Sequence, residues 1–293
     1  MTCQAGRCRG PCRRAAAILG GEVLGKVLFI PHGGGPLPLL GDPAYVPLAR
    51  ALKAQGDELA GARAIIVVTA HWEAAQPSLS SAAHPGMLYD YYGFPEAAYR
   101  ITYPAPGAPE LAQAVADTLA AAGFRPELDA GRGYDHGTFV PMLLMRPEAD
   151  TPVLQMSLLA SLDPGEHIAL GRALAGALGD DIVLIGSGFS FHNIPALIGR
   201  LSPQDAAEGR SRAAAFHDWM DGVVCDPGLE PAQRHRELVA WDRAPGARFC
   251  QPREEHLLPL HVCFGAAQAA GMSVSPFFAE PVKGYRTSGY VWK

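Results

Sequence analysis

The 293-residue sequence has no apolar run near the roughly 18 to 20 residues that a membrane span requires, so no membrane association is expected. It also lacks a surplus of positive charge: 24 Lys and Arg face 29 Asp and Glu, for a formal charge of −5, and no basic stripe is interleaved with aromatics. Nucleic acid is therefore not an expected partner. Cysteine is sparse and fits no zinc-site spacing, since Cys3, Cys8 and Cys12 crowd the N-terminus while Cys225, Cys250 and Cys263 are scattered. Free thiols in a reducing cytoplasm are the expectation. Two catalytic signatures are missing as well. No G-x-S-x-G elbow occurs, because IGSGF at Ile185 to Phe189 lacks the first glycine at the required spacing, and no Walker lysine follows a glycine-rich loop.

What is present is enough apolar material, 48% of residues, to bury a large core. Residues 1–25 hold Arg7, Arg9, Arg13 and Arg14 with no acidic residue before Glu22. A transit-like reading exists, but AAAILGG is short and no cleavage site follows, so these residues read as a disordered extension. Residues 26–293 read as a single catalytic α/β domain. Strand-like runs at Val27–Ile30, Ala64–Thr69, Val153–Ser157, Ile182–Ile185 and, more weakly, Val274–Ala279 alternate with helical stretches. Their continuous apolar character predicts a central, largely parallel or mixed sheet with helices on both faces. Capping patterns predict helices from Pro164 to the stop at Gly179, from Pro109 to Ala122, from Pro203 towards Val224 and from about Glu254 to Ala270. The segment Ser80–Gly107 is rich in Tyr, Pro and Gly and reads as the wall or lid of a site.

In open α/β sheets ligands collect at the carboxyl ends of strands. His32, in FIPHGGGPLP, His71 and His192 all follow strand-like runs closely. His136 in GYDHGTFVP and His256 in EEHLLPLHVCFGAAQ are further candidates, whereas His167, His217 and His235 read as solvated helix faces, His261 as packed and His84 as part of the lid. Imidazoles converging from separate strand ends suit a catalytic divalent metal. Nonhaem Fe(II) centres usually take two histidines and one carboxylate, so the residues alone leave Glu255 open in place of His256. The competing use of HGGG as an oxyanion loop fails for want of a nucleophile.

With PHGGGP, TAHWE, YDYYGFPEAAYRITYPAPG, YDHGTFVPM, IGSGFSFHN and EEHLLPL in this order, the sequence from about Leu28 to Phe278 resembles the LigB-type extradiol ring-cleavage dioxygenases, in particular their DOPA 4,5-dioxygenase branch. The C-terminal GYRTSGYVWK and the Cys- and Arg-rich N-terminus do not match that pattern. The resemblance implies a LigB-like three-layer fold and a metal held by His32, His71 and His256. It makes His192 an acid/base or a fourth ligand, and places His136 against substrate or oxygen. Gly33 and Gly34, which lack Cβ atoms, would clear space beside the metal, with Tyr92, Phe94 and Asp135 completing the substrate-facing set. The implied cofactor is Fe(II), with Zn(II) able to occupy the site in purified protein. The implied reaction is ring cleavage of a catechol by O2, with L-DOPA giving seco-DOPA that cyclises to betalamic acid. A zinc-dependent hydrolase and a non-catalytic metal-binding subunit are the alternatives, and a homodimer is compatible with each.

Overall fold

The computed structural model describes residues 25–293, so all but the last residue of the expected extension lies outside the described residues. One sheet contains β1 (Val27–Pro31), β2 (Ala64–Ala74), β3 (Ser78–Ser80), β4 (Glu127–Asp129), β5 (Val153–Leu159), β6 (Ile182–Gly188), β7 (Val274–Val282) and β8 (Tyr285–Trp292), in the order β4-β3-β5-β2-β6-β1-β8-β7. The central strands β5, β2, β6 and β1 run parallel. β8 joins β1 antiparallel and forms a hairpin with β7. The expected mixed α/β sheet is thus observed, but the C-terminal segment GYRTSGYVWK supplies an interior strand that its sequence did not announce. β7 closes that edge carrying Pro276 and Pro281, residues that withhold donors from further pairing.

The helices are α1 (Val46–Ala54), α2 (Pro109–Ala121), α3 (His136–Met145), α4 (Pro164–Leu174), α5 (Ile194–Leu197), α6 (Pro203–Cys225), α7 (Pro231–Val239), α8 (Ala247–Cys250) and α9 (Leu258–Ala269). None is long and apolar enough to cross a membrane. Strand β6 shows why they form two outer layers. Side chains alternate along a strand, and a Cβ on Gly186 would meet Pro259 and Cys263 of α9, whereas the Ser187 hydroxyl donates to the Gly137 carbonyl of α3. The strand therefore has α9 on one face and α3 on the other. At Gly188 the constraint is closest: an added Cβ would lie 2.2 Å from the His256 carbonyl oxygen.

Two expectations about histidines are corrected. His167 and His217 are fully buried rather than solvated. Each lies on its helix's apolar stripe, His167 with Leu170, Gly171 and Leu174, and His217 with Ala213 and Met220. Their ring nitrogens are satisfied locally. His167 Nδ1 donates to the Asp163 carbonyl at 2.7 Å while Nε2 accepts from the Leu159 N–H at 3.1 Å. His217 bonds the Ala213 carbonyl at 2.8 Å and the Ser190 hydroxyl at 3.0 Å.

Burial pushes the His217 imidazole down to about 4, below the value near 6.5 of an unfolded chain. Between these values the unfolded state takes up a proton that the native state refuses, so stability falls as pH drops through that window. Denaturant titrations at pH 7 and pH 5 should show wild type losing about 2 kcal/mol more than His217→Gln. Equal losses would show that His217 does not govern this acid sensitivity. Gly188→Ala should cost about 2 kcal/mol through overpacking and lower the metal affinity of the folded protein, because the displaced neighbour is the backbone of His256. Unchanged affinity would mean that α9 absorbs the shift without moving that residue.

Candidate metal centre

Three local devices bring three imidazoles together. His32 follows β1 directly, and its N–H donates to the Gly188 carbonyl at 2.9 Å. His71 lies inside β2, which continues past the expected end at Thr69. Pairing with β6 stops at Thr69, and the register against β5 shifts between Val68 and Glu73. Such an irregularity re-aims side chains. His256 does not open a helix as the sequence suggested; it sits in the turn before α9, which starts at Leu258 with Pro259 in its first turn. Proline suits that position and opposes extending the helix backwards. The carbonyl of His256 accepts from the Phe189 N–H at 2.9 Å, fixing this turn to the end of β6.

The Nε2 atoms of His32 and His256 each lie 3.2 Å from His71 Nε2. Every Nδ1 is already committed. That of His32 contacts Ser187 Oγ at 3.0 Å, and since this hydroxyl donates to Gly137 it accepts from His32. His71 Nδ1 donates to Asp90 at 3.2 Å, and His256 Nδ1 to Glu255 at 3.0 Å. A neutral imidazole that donates from Nδ1 presents a lone pair at Nε2. Burial, reinforced by neighbouring histidines, pushes His32 and His256 well below the ordinary histidine value. His71 is also pushed well down, first by burial and then by His136, against the pull of Asp90.

With each Nδ1 donating, three Nε2 lone pairs face one another. A divalent ion about 2.1 Å from each, at angles between octahedral and tetrahedral, needs separations of about 3.0 to 3.4 Å. The donor set fits a metal. Two neighbouring clusters, His71–Asp90–His136 and His192–Glu255–His256, are also compact. Their contacts join N–H donors to carboxylates, so they are supports rather than competing ligand sets.

These supports share one design. Asp90 accepts from His71 and, at 2.7 Å, from His136 Nδ1. Glu255 Oε1 accepts from His256 and, at 3.2 Å, from His192 Nδ1. Each carboxylate therefore binds one candidate ligand and one free histidine. Burial alone would raise both acids, yet bonding to His136 brings Asp90 down to about 2, and bonding to His192 helps hold Glu255 below its usual value. Both act as anions. Glu255, open from sequence as a ligand, serves as this anchor. Asp90 was missed; a lone acid in a tyrosine-rich loop carries no spacing signal.

These groups open into a cavity of about 530 Å³ whose lining includes His71, His136, His192, His256, Gly34, Gly35, Tyr92 and Phe94. Tyr91, in the segment expected to form a wall, lines it too, and Phe189, Ile194, Leu197 and Ile198 add apolar wall that was not expected from sequence. Two residues of the expected substrate-facing set lie elsewhere. Gly33 turns the chain at φ +90°, where an added Cβ would strike Pro38, and it does not line the cavity. Asp135 is fully buried, accepting from Thr69 at 2.9 Å and Arg132 at 3.0 Å and capping α3 through the Thr138 N–H. It positions His136 from behind. The loop 80–107 does form a wall, and Tyr89 anchors it by donating to the Ile101 carbonyl at 2.7 Å. A larger cleft of about 970 Å³ between α1 and the end of α3 has no histidine in its lining.

A family described as the catalytic LigB subunit of aromatic ring-opening dioxygenase matches residues 43–288. The chain belongs to the LigB family. The match begins after His32, so the place of that residue in the site comes from the fold. Among similar proteins, the dioxygenase tasH of Hapsidospora irregularis is 43% identical, across 83% of this chain and 78% of that one. The 4,5-DOPA dioxygenase extradiol of Beta vulgaris is 35% identical, across 83% and 87%. The Escherichia coli protein of the same description is 33% identical, across 82% and 84%. A crystal structure of an uncharacterized Escherichia coli protein matches with a TM-score of 0.71 at 26% identity, covering 91% of this chain and 98% of that one. LigB dioxygenases are metal-dependent extradiol enzymes, and the histidine cluster meets that requirement.

Replacing His32 or His71 with alanine should abolish stoichiometric metal binding, whereas Asp90→Asn should weaken it by about 10- to 100-fold through loss of ligand orientation. Metal titration monitored by elemental analysis of the folded variants checks both. Full metal content in His32→Ala or His71→Ala would exclude that residue from the ligand set.

Proposed function

We propose that this protein is an Fe(II)-dependent extradiol dioxygenase that cleaves the ring of L-DOPA between carbons 4 and 5. The observation that carries this reading is the set of three convergent Nε2 atoms, each opposite an Nδ1 held from behind, beside two further histidines on the wall of a ring-sized cavity. Iron is proposed over zinc because joining O2 to a catechol needs a metal able to change oxidation state, and zinc has no redox chemistry. When bound by His32, His71 and His256, Fe(II) would supply a shared site for both catechol oxygens and O2 and a route for electrons between them.

The remaining work falls to the chain. A catechol entering as a chelate must lose at least one proton, and His192 Nε2 is the atom suited to accept it, because Nδ1 is held by Glu255. The His192 ring stacks on that of His256 with centroids 3.3 Å apart, which places the base beside the ligand set. His136, whose Nδ1 is held by Asp90, offers its own Nε2 from the opposite side, with its ring centroid 3.9 Å from that of His71. It suits delivery of a proton to oxygen as the ring opens. Gly34 and Gly35 keep one wall free of side-chain bulk, and Phe94 and Tyr91 present aromatic surface to a planar ring.

Both oxygen atoms of O2 enter the product, and the carbon–carbon bond next to the diol breaks to give an aldehyde and a carboxylate. With L-DOPA the product is seco-DOPA, whose amine condenses with the ketone at the former carbon 3, releasing water and leaving the aldehyde intact, to give betalamic acid. L-DOPA is favoured by the relatives described as 4,5-DOPA dioxygenases.

The test is oxygen uptake by metal-free protein reconstituted anaerobically with Fe(II), then given air with L-DOPA or simple catechols. A yellow product with L-DOPA and one O2 consumed per ring is expected. Uptake only with another catechol would discard L-DOPA, and no uptake at full iron occupancy would discard the dioxygenase chemistry for this chain. His192→Ala should retain much of the metal and lose at least about 100-fold in turnover; a near-normal rate would remove it from proton transfer.

A further inference from the structure

Of the described residues lining the cavity, the charged ones besides histidine are Asp42, Asp90 and Lys283. Asp90 is consumed by His71 and His136. Asp42 is consumed too: one oxygen accepts from the Ala44 N–H at 2.9 Å, capping the turn before α1, and the other accepts from Lys283 Nζ at 2.6 Å. An ammonium group has three donors. After the bond to Asp42, Lys283 still has donors to offer the cavity, and its side chain retains 29% exposure.

The lysine is also held in place. It lies at the tip of the β7–β8 hairpin, where Val282 pairs with Tyr285 and Lys283 and Gly284 form the two-residue turn. Lys283 has φ 52°, a left-handed conformation for which such turns normally select Asn, Asp or Gly. A lysine kept at this position in a cavity wall suggests that its side chain is used. Its ammonium stands 5.6 Å from the centroid of the Tyr45 ring, and Tyr45 lines the same cavity. Asp42 and Tyr45 thus aim a cation into a chamber whose other walls are histidine, aromatic and aliphatic.

We infer that Lys283 determines specificity by pairing with a carboxylate on the substrate's side chain, so that the enzyme selects catechols with an anionic tail. The inference rests on the reading of this cavity as the catechol site. The ammonium of an amino-acid substrate has no comparable partner, because both carboxylates on the wall are engaged. Selection therefore acts on the acid group, and an amine is tolerated rather than required.

A matched series tests this without turnover: dihydrocaffeate, ethylcatechol and dopamine share the catechol ring and a two-carbon chain bearing a carboxylate, no charge or an ammonium. Anaerobic titration of the full-length Zn(II)-loaded protein should rank dihydrocaffeate at least about tenfold tighter than ethylcatechol, with dopamine weakest. Lys283→Met should remove that advantage and leave ethylcatechol within about twofold, while Lys283→Glu should reverse the order of dihydrocaffeate and dopamine. Equal affinities in wild type, or equal losses for all three ligands in the variants, would overturn the inference. Oxygen uptake with L-DOPA and with saturating dihydrocaffeate by the Fe(II)-loaded protein separates the two readings. Discrimination without uptake would leave Lys283 in place and overturn the dioxygenase proposal, and uptake without discrimination would do the reverse.

Discussion

The site depends on one electrostatic constraint: three lone pairs must face one another at about hydrogen-bond distance inside a buried pocket without acquiring a proton. The protein meets it from behind. Ser187, Asp90 and Glu255 fix each imidazole by its Nδ1, and burial disfavours the charged rings. Removing solvent and filling the rear nitrogen leaves the front nitrogen as an acceptor with no partner except a cation. The strand ends, the irregularity in β2 and the turn before α9 can be understood as the backbone needed to keep that arrangement.

The two carboxylates connect this constraint to proton movement. Because Asp90 and Glu255 each hold a ligand and a free histidine, any change in charge at the ligand set is felt by the groups best placed to move protons. A single acid on each side orients both rings and supplies the negative charge that offsets a divalent ion in a poorly solvated chamber. Asp135, by contrast, works one step further out. It caps α3 and ties Thr69 to Arg132, fixing the helix start that carries His136.

Much of this was legible in the sequence because the signals were local. Continuous apolar runs marked the central strands, since both faces of those strands are covered. Histidines placed just past these runs marked the site. Other features had no local signature. Helix α3 is apolar nearly all round and contains Pro141, so no amphipathic period reveals it. β8 is recognisable only through its pairing with β1 and β7. His217 looked solvated beside Asp218, although its spacing from Ala213 and Met220 placed it on the buried stripe of α6. Asp90 and Lys283 have roles set by what the fold brings near them, which short sequence windows do not contain.

Strand β6 has a mechanical consequence. Its Gly186-Ser187-Gly188 end separates the layer carrying His256 from the layer carrying His136, and on the α9 side the two glycines contribute no side chain. At this point the sheet presents bare backbone to the α9 layer. Ligand geometry is therefore a gauge of layer spacing, and any substitution in the α4–α9 packing that lifts α9 by a few tenths of an ångström will register at the cavity as a misaligned imidazole.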